Sequence, residues 1–255
     1  MDGPPLVLLL AGLDPSGGAG LAQDLRVLEA LGARGLPVPT CLTAQSRLGF
    51  HACHGVEPEL FAGMLASALE HAPPRAVKVG LLAGPEQAAR LAALLPRLPC
   101  VVDPILRPTL AAAADRADAL AHAYRRCLAP LGVFFTPNLL EAGPLAGLSP
   151  EADPAAAAAV LLDAGAGAVV VKGGHGRGSF LEDLLFTKAA PVRSYRRPRR
   201  AAGEVHGTGC AFSSACAALL ARGFPLEAAV DGAGAHVAER VGRAWSAGPG
   251  PLQLG

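Results

Sequence analysis

Val205-His206-Gly207-Thr208-Gly209-Cys210 sets two glycines and a cysteine ahead of a run of small residues, Ala211 to Ala221, closed by Arg222-Gly223. The pattern predicts a turn feeding the N-terminus of a buried helix. Glycines let the backbone approach a ligand closely, and the first amides of a helix have no intrahelical acceptor. An anion held there gains roughly 0.3–1 kcal/mol from the helix dipole. Cys210 falls in the first turn, where the same field favours the thiolate. An anion cradle beside a potential base is what phosphoryl transfer to an alcohol requires. The same six residues also fit a tight turn whose cysteine packs as a small hydrophobe.

Other polar residues recur at one kind of place. Asp14, Gln45, Asp103, Asn138, Glu141 and Lys172 each follow a short apolar segment. The carboxylates of Asp103 and Glu141 suit Mg²⁺, bound directly or through water and bridging polyphosphate oxygens. Asn138 and Lys172 suit phosphate. The Gly207–Gly209 turn would stabilise charge on the transferred phosphoryl group, and Cys210 would take the alcohol's proton. The alternative is that the carboxylates are helix caps and Lys172 pairs with one of them. Asp14 fits a turn or cap as well as a substrate acceptor. Gln45 fits a loop, or an amide that both donates to and accepts from a heterocycle.

The elements that must position these residues alternate. Apolar stretches at Leu6–Ala11, Val38–Thr43, Ala76–Leu82, Cys100–Val102, Val133–Phe135 and Ala168–Val171 read as strands, with Phe180–Phe186 as an edge hairpin strand. Helical patterns run from the glycine-rich turn to Leu31 and over Glu57–His71, Pro85–Leu95, Asp115–Cys127, Pro154–Ala164 and Leu226–Val241. No repeat or linker interrupts the chain. Residues 1–255 are therefore expected to form one α/β domain around a mainly parallel sheet, with an irregular tail from about Ala244. In such a sheet the strand tips converge on one crevice. Neither G-x-G-x-x-G nor G-x-x-x-x-G-K-[ST] occurs, which weakens a dehydrogenase reading.

Composition narrows the classes. The chain has 255 residues, 51% hydrophobic and 17% charged, so a large core is supplied and disorder is not expected. A net charge of +1 gives no electrostatic case for nucleic acid or an anionic membrane. Arg193, Arg196, Arg197, Arg199 and Arg200 form one basic cluster, read as a solvated strand edge or a contact for nucleotide phosphate. The six cysteines form no C-x-x-C pair, so reduced thiols in a cytoplasmic protein are expected. Leu6–Ala11 is too short to span a membrane and lacks the flanks of a signal peptide.

Six segments then occur in a telling order: Gly12-Leu13-Asp14-Pro15-Ser16-Gly17-Gly18-Ala19-Gly20, Leu42-Thr43-Ala44-Gln45, Val102-Asp103-Pro104, Thr136-Pro137-Asn138-Leu139-Leu140-Glu141-Ala142, Val171-Lys172-Gly173-Gly174-His175 and His206-Gly207-Thr208-Gly209-Cys210. Together, across roughly Leu6 to Val241, they resemble the hydroxymethylpyrimidine/phosphomethylpyrimidine kinases of thiamine biosynthesis, in the ribokinase-like superfamily. The resemblance implies a three-layer α/β sandwich that uses ATP and Mg²⁺. It would phosphorylate 4-amino-5-hydroxymethyl-2-methylpyrimidine and then its monophosphate. It places Gly12, Asp14, Ala19 and Gln45 by the pyrimidine, and Asp103, Asn138, Glu141, Lys172 and Thr208 with the nucleotide. Asp103 and Glu141 would serve the metal, Gly207, Thr208 and Gly209 the anion hole, and Cys210 would be the base. A cytoplasmic homodimer is implied on the same footing.

Besides an altered C-terminal ending, which is rich in Gly and His in many members, two departures mark this chain. The family usually continues after Asp-Pro through a Met/Val-Ala-Lys-Ser-Gly flap, where this sequence has Ile105-Leu106-Arg107-Pro108-Thr109-Leu110. The family's Asn-Thr before the histidine is here Glu204-Val205. Both bear on flap closure and on the second phosphorylation. Pyridoxal kinases, some of which share the cysteine, are the rival within enzymes. A non-catalytic pyrimidine- or nucleotide-binding regulator is the rival outside them.

Overall fold

The computed structural model describes residues 3–46, 49–95, 97–106, 114–175, 178–199, 205–246 and 250–255. In chain order the main elements are β1 (Leu6–Leu13), α1 (Gly20–Ala30), β2 (Arg34–Ser46), β3 (Gly49–Gly55), α2 (Pro58–His71), β4 (Ala76–Val79), α3 (Pro85–Leu94), β5 (Cys100–Val102) and α4 (Ala114–Ala123). There follow β6 (Phe134–Phe135), α5 (Leu139–Ala146), α6 (Pro154–Asp163), β7 (Ala168–Val171), β8 (Phe180–Phe186), β9 (Arg193–Pro198), β10 (Val205–His206), α7 (Thr208–Ala221), α8 (Leu226–Gly242) and β11 (Leu252–Gln253). Contacts gather these into two compact units, residues 1–83 with 200–255, and residues 84–199.

The first unit holds strands in the order β3-β2-β1-β4. β1 pairs in parallel with β2 and β4, and β3 runs antiparallel to β2. Val7, Leu8, Leu9 and Leu10 are all fully buried, as a parallel strand covered on both faces requires. α1 buries Leu21, Asp24, Val27 and Leu28, a stripe at helical spacing on which an acid stands among aliphatics. α7 is different in kind, being buried on nearly every side from Cys210 to Ala221. Its alanines, serines and cysteines allow α1 and α8 to approach closely. At that contact a β-carbon on Gly232 would lie 2.8 Å from Leu219 Cδ1.

The second unit orders β5-β6-β7-β8-β9, with β5, β6 and β7 parallel and β8 and β9 antiparallel. α4 gives way to a wide helical turn, Tyr124–Leu128, that seats the Tyr124 ring edge-on to Phe135 with centroids 6.3 Å apart. α5 carries a full capping box, in which Asn138 Oδ1 accepts from the amides of Leu140 and Glu141 while Glu141 Oε2 accepts from the amide of Asn138.

The alternating α/β architecture matches the sequence expectation, with three local corrections. The second strand runs well past Val38–Thr43 and returns as β3, whose polar, histidine-containing sequence hides its pairing. β8 is not an edge strand, because it pairs with β7 on one side and β9 on the other. The arginine-rich β9 takes the edge instead, where long cations discourage further pairing. The tail is not wholly irregular either, since β11 pairs with β10 and bridges to Trp245.

Leu9 lies at the centre of the buried β1 run. Leu9→Ala is expected to lower unfolding stability by about 2–5 kcal/mol, the range for truncating a core leucine. Urea denaturation, with an unchanged slope, measures it.

Candidate active site

In the first unit the chain leaves β1 through a loop held by one carboxylate. Asp14 accepts from Ser16 N at 2.8 Å, Ser16 Oγ at 2.8 Å and Ala19 N at 2.9 Å. His206 Nε2 stands 3.6 Å from Asp14 Oδ2, and the Gln45 side chain also hydrogen-bonds to this carboxylate. Burial alone pushes the Asp14 carboxyl up, but hydrogen bonds from His206, Ser16 and Gln45 prevail and hold it below the usual aspartate range. Asp14 is thus both the turn residue and the hub that brings Gln45, Ala19 and the 206–207 segment together.

That segment lies directly on the loop. Gly207 has φ +83°, and a β-carbon on it would lie 2.0 Å from the carbonyl oxygen of Gly18. Gly20 has φ +57°, and its β-carbon would lie 2.2 Å from the Gly12 carbonyl oxygen. Only glycine serves at either position. Gly207 is the N-cap of α7 and carries no side chain to satisfy the first turn, so the amides of Thr208 and Gly209 open the helix as a cradle for an anion. Cys210, 8% exposed, follows in the same turn. Cys100, equally buried in β5, has its thiol pushed up to about 12 by burial.

The second unit gathers the remaining predicted residues. Lys172 Nζ donates to Asp103 Oδ1 at 2.8 Å, and the Lys172 amide donates to the Pro137 carbonyl, setting Lys172 beside Asn138. Burial is the main force on Glu141, raising its carboxyl to about 7. Lys172 pulls it down, and the negative charge of Asp103 pushes it up again. The capping alternative therefore describes part of this site, with Asn138 and Glu141 in the cap and Lys172 on Asp103.

The chemistry of this donor set suits a divalent cation. Among the described residues Lys172 bonds Asp103, and the Glu141 carboxyl beside them is raised by burial and by the charge of Asp103. Among the described residues no group of three or more His, Cys, Asp or Glu side chains stands at metal-binding distance. Mg²⁺ commonly takes one or two carboxylates and completes its shell with water and phosphate oxygens. Asp103 and Glu141 fit that pattern.

Asp183, which sequence reasoning passed over, and two arginines of the basic cluster brace the loop after β7. Asp183 Oδ1 accepts from the Gly173 amide at 3.0 Å, and Arg197 Nη1 donates to Asp183 Oδ2 at 3.1 Å. Arg199 Nη1 donates to the Gly174 carbonyl and Nε to the Gly178 carbonyl, each at 3.0 Å. Two arginines of the basic cluster thus hold the Lys172-Gly173-Gly174 turn. Alternation along β8 was the available signal, since Asp183 points to its buried side. Arg107 to Leu110 of the altered flap, Arg200 and Glu204 lie outside the described residues.

Comparison with known proteins adds to this geometry. Residues 14–254 match the phosphomethylpyrimidine kinase family. A hydroxymethylpyrimidine/phosphomethylpyrimidine kinase of Rhizobium meliloti (strain 1021) is 38% identical over 237 residues, covering 91% of this chain and 88% of the relative. The pyridoxal kinase of Staphylococcus aureus in complex with ADP superposes with a TM-score of 0.90 at 27% identity, covering 100% of this chain and 94% of that one. Phosphomethylpyrimidine kinase from Clostridium difficile 630 gives a TM-score of 0.75 at 28% identity, covering 92% and 98%. No helix among the described residues is long and apolar enough to cross a membrane.

Glu141 generates a pH prediction. Its folded carboxyl is raised from 4.5 to about 7, so the folded chain holds a proton that the unfolded chain releases first. The stability this group contributes is complete below pH 4.5 and is lost as pH rises through about 7. Urea titrations without divalent cation are expected to show that fall in the wild type, and a flatter profile in Glu141→Gln.

Proposed function

The chain belongs to the phosphomethylpyrimidine kinase family, and on that premise we propose that it transfers the γ-phosphoryl group of ATP to the hydroxymethyl oxygen of 4-amino-5-hydroxymethyl-2-methylpyrimidine. The resulting monophosphate is the second acceptor, giving the diphosphate. The observation that carries the reading is the junction of Gly207 with Gly18. It joins an anion-binding helix start with Cys210 in its first turn to the loop that Asp14 organises.

In this reading Gly12, Asp14, Ala19 and Gln45 form the pyrimidine side, with the Gln45 amide matched to the ring's amino and nitrogen edge. Cys210 takes the proton of the alcohol, whose oxygen bonds to the γ-phosphorus as the bond to ADP breaks. The amides at Gly207–Gly209 bear the charge that develops on the transferred group; one such donor is worth about 3 kcal/mol. Lys172, Asn138 and Thr208 would hold phosphate, and Asp103 and Glu141 would hold Mg²⁺. When bound, the metal would neutralise phosphate charge and orient the polyphosphate for transfer. The family match crosses both compact units, which supports taking residues 1–255 as one catalytic domain. A cytoplasmic homodimer rests on family likeness.

A second reading, pyridoxal as an acceptor, is favoured by one observation. The fold superposes better on the pyridoxal kinase of Staphylococcus aureus than on the Clostridium difficile phosphomethylpyrimidine kinase, with TM-scores of 0.90 and 0.75. Purified protein with Mg-ATP and either acceptor, products resolved over time, separates the cases. Pyrimidine diphosphate is the expected product. Monophosphate alone would confine the enzyme to the first step. Nucleotide binding without turnover of any acceptor would indicate a binding protein.

Cys210→Ala is expected to bind ligands nearly as the wild type does while turnover falls by at least ~10², the lower bound for removing a positioned base. Isothermal titration with steady-state rates distinguishes the two effects. Gln45→Ala should raise the pyrimidine KM far more than the ATP KM, and an equal rise in both would remove Gln45 from the recognition role.

A further inference from the structure

A charged network beneath α7 has no part in the chemistry assigned above. Lys78 Nζ donates to Asp24 Oδ2 at 2.7 Å, and Ser214 Oγ donates to Asp24 Oδ1 at 2.7 Å. The side chains of Lys78 and Asp24 are both 0% exposed, and Ser214 is equally buried. Lysine and aspartate are almost never buried whole unless paired, as these two are. Well-packed apolar residues of the same volume often give equal or greater stability than a buried ion pair. Stability alone is therefore a poor account of this network.

Its placement supplies a better one. Asp24 lies one turn into α1, the helix that begins at the end of the Gly12–Gly20 loop. Ser214 lies four residues beyond Cys210 on α7 and so on the same face of that helix. Lys78 reaches the carboxyl end of β4, where a β-carbon on Gly80 would stand 2.8 Å from its Nζ and 3.0 Å from Ala11 Cβ, the residue before Gly12. The two oxygens of Asp24 thus each fix one neighbour, a hydroxyl on α7 and an ammonium on β4. Hydrogen bonds to a buried carboxylate have direction, which aliphatic packing lacks. α7 gains from such a reference, because most of its buried surface is alanine, serine and cysteine, and Phe212 and Leu219 are its bulky buried side chains.

We propose that Asp24, Lys78 and Ser214 are positioning residues that fix the rotation of α7 about its axis, and with it the direction of the Cys210 thiol and the Gly207–Gly209 amides. The proposal rests on the role given to Cys210. A reacting group misplaced by about 1 Å can cost on the order of 10² in rate. A buried network one turn away is close enough to prevent that.

The test uses the full-length chain with two changes. The double variant Asp24→Leu/Lys78→Met removes both charges together, and Ser214→Ala removes only the hydroxyl. Thermal midpoint, kcat and KM are measured alongside the rate at which iodoacetamide alkylates Cys210 at neutral pH, followed on its own tryptic peptide. The double variant is expected to keep its midpoint within about 5 °C of wild type, as a volume-conserving apolar replacement of a buried pair allows. Its kcat should fall at least ~10-fold, with the pyrimidine KM changed less than ~3-fold, and Cys210 alkylation should slow at least ~3-fold as the thiol leaves the helix-terminal field. Ser214→Ala should show the same signs at smaller size. A folded double variant with wild-type kcat and alkylation would overturn the proposal, as would alkylation that stays constant while the midpoint collapses. Should the double variant not fold, Ser214→Ala decides by the same two readouts. A wild-type protein that phosphorylates neither acceptor would defeat the kinase reading, and Cys210 alkylation would still decide the positioning role.

Discussion

A β-carbon on Gly207 would sit 2.0 Å from the carbonyl oxygen of Gly18, and this approach of backbone to backbone is the constraint on which the first unit depends. The loop leaving β1 and the turn entering α7 lie so close that no side chain fits between them. Gly18 faces the same limit, because a β-carbon there would lie 2.7 Å from His206 Cδ2. Glycines give up more conformational freedom on folding than any other residue. Asp14 offsets that loss by accepting three short hydrogen bonds inside the loop and facing His206 across the junction. An ionised acceptor is worth more here than a neutral one, since charge-assisted bonds are roughly twice as strong. The loop after β1 and the turn entering α7 are thereby held backbone to backbone.

The carboxylates divide by what surrounds them. Asp14 is held ionised by donors that its own fold supplies, so its negative charge is already spent on structure. Asp24 is likewise satisfied, by an ammonium and a hydroxyl. Glu141 is the opposite case: half-buried at the start of α5 and near the charges of Lys172 and Asp103, its carboxyl rises to about 7. A carboxylate left short of positive charge gains most from a bound cation, and a carboxylate already satisfied gains least. Environment, more than residue type, separates the metal-binding candidates from the structural acids.

Much of this was legible in the sequence where one local rule sufficed. Solid apolar runs marked β1, β4 and β7, and glycines marked the loops at their ends. The helix α5 was not placed from the sequence, although the Asn138-x-x-Glu141 spacing of its capping box was there to be read. What else escaped depended on partners distant in sequence. Asp24 stands on the apolar stripe of α1 and Lys78 in the middle of a valine-rich strand, each an anomaly by itself. The two are 54 residues apart and Ser214 lies 190 from Asp24, so no window reveals that they answer one another. β3 escaped for a related reason. Its pairing with β2 is set by register, from Cys41 opposite Gly55 to Ser46 opposite Gly49, and its composition carries little strand signal.

A cysteine as base makes the orientation of α7 matter more than an aspartate would. A carboxylate is ionised at neutral pH wherever water reaches it, whereas an ordinary thiol is not. In the proposed role Cys210 would draw on the field of the helix terminus, and that field fades within a single turn. Burial works against it, as Cys100 shows with its thiol raised to about 12. The thiol must therefore sit in the first turn and face the acceptor while the remainder of the helix is packed away from water. α7 meets the last condition with small residues, which pack closely but define rotation weakly. A buried carboxylate that bonds Ser214 on the same face as Cys210 supplies the missing definition. In this account the choice of base and the buried ion pair are two parts of one requirement.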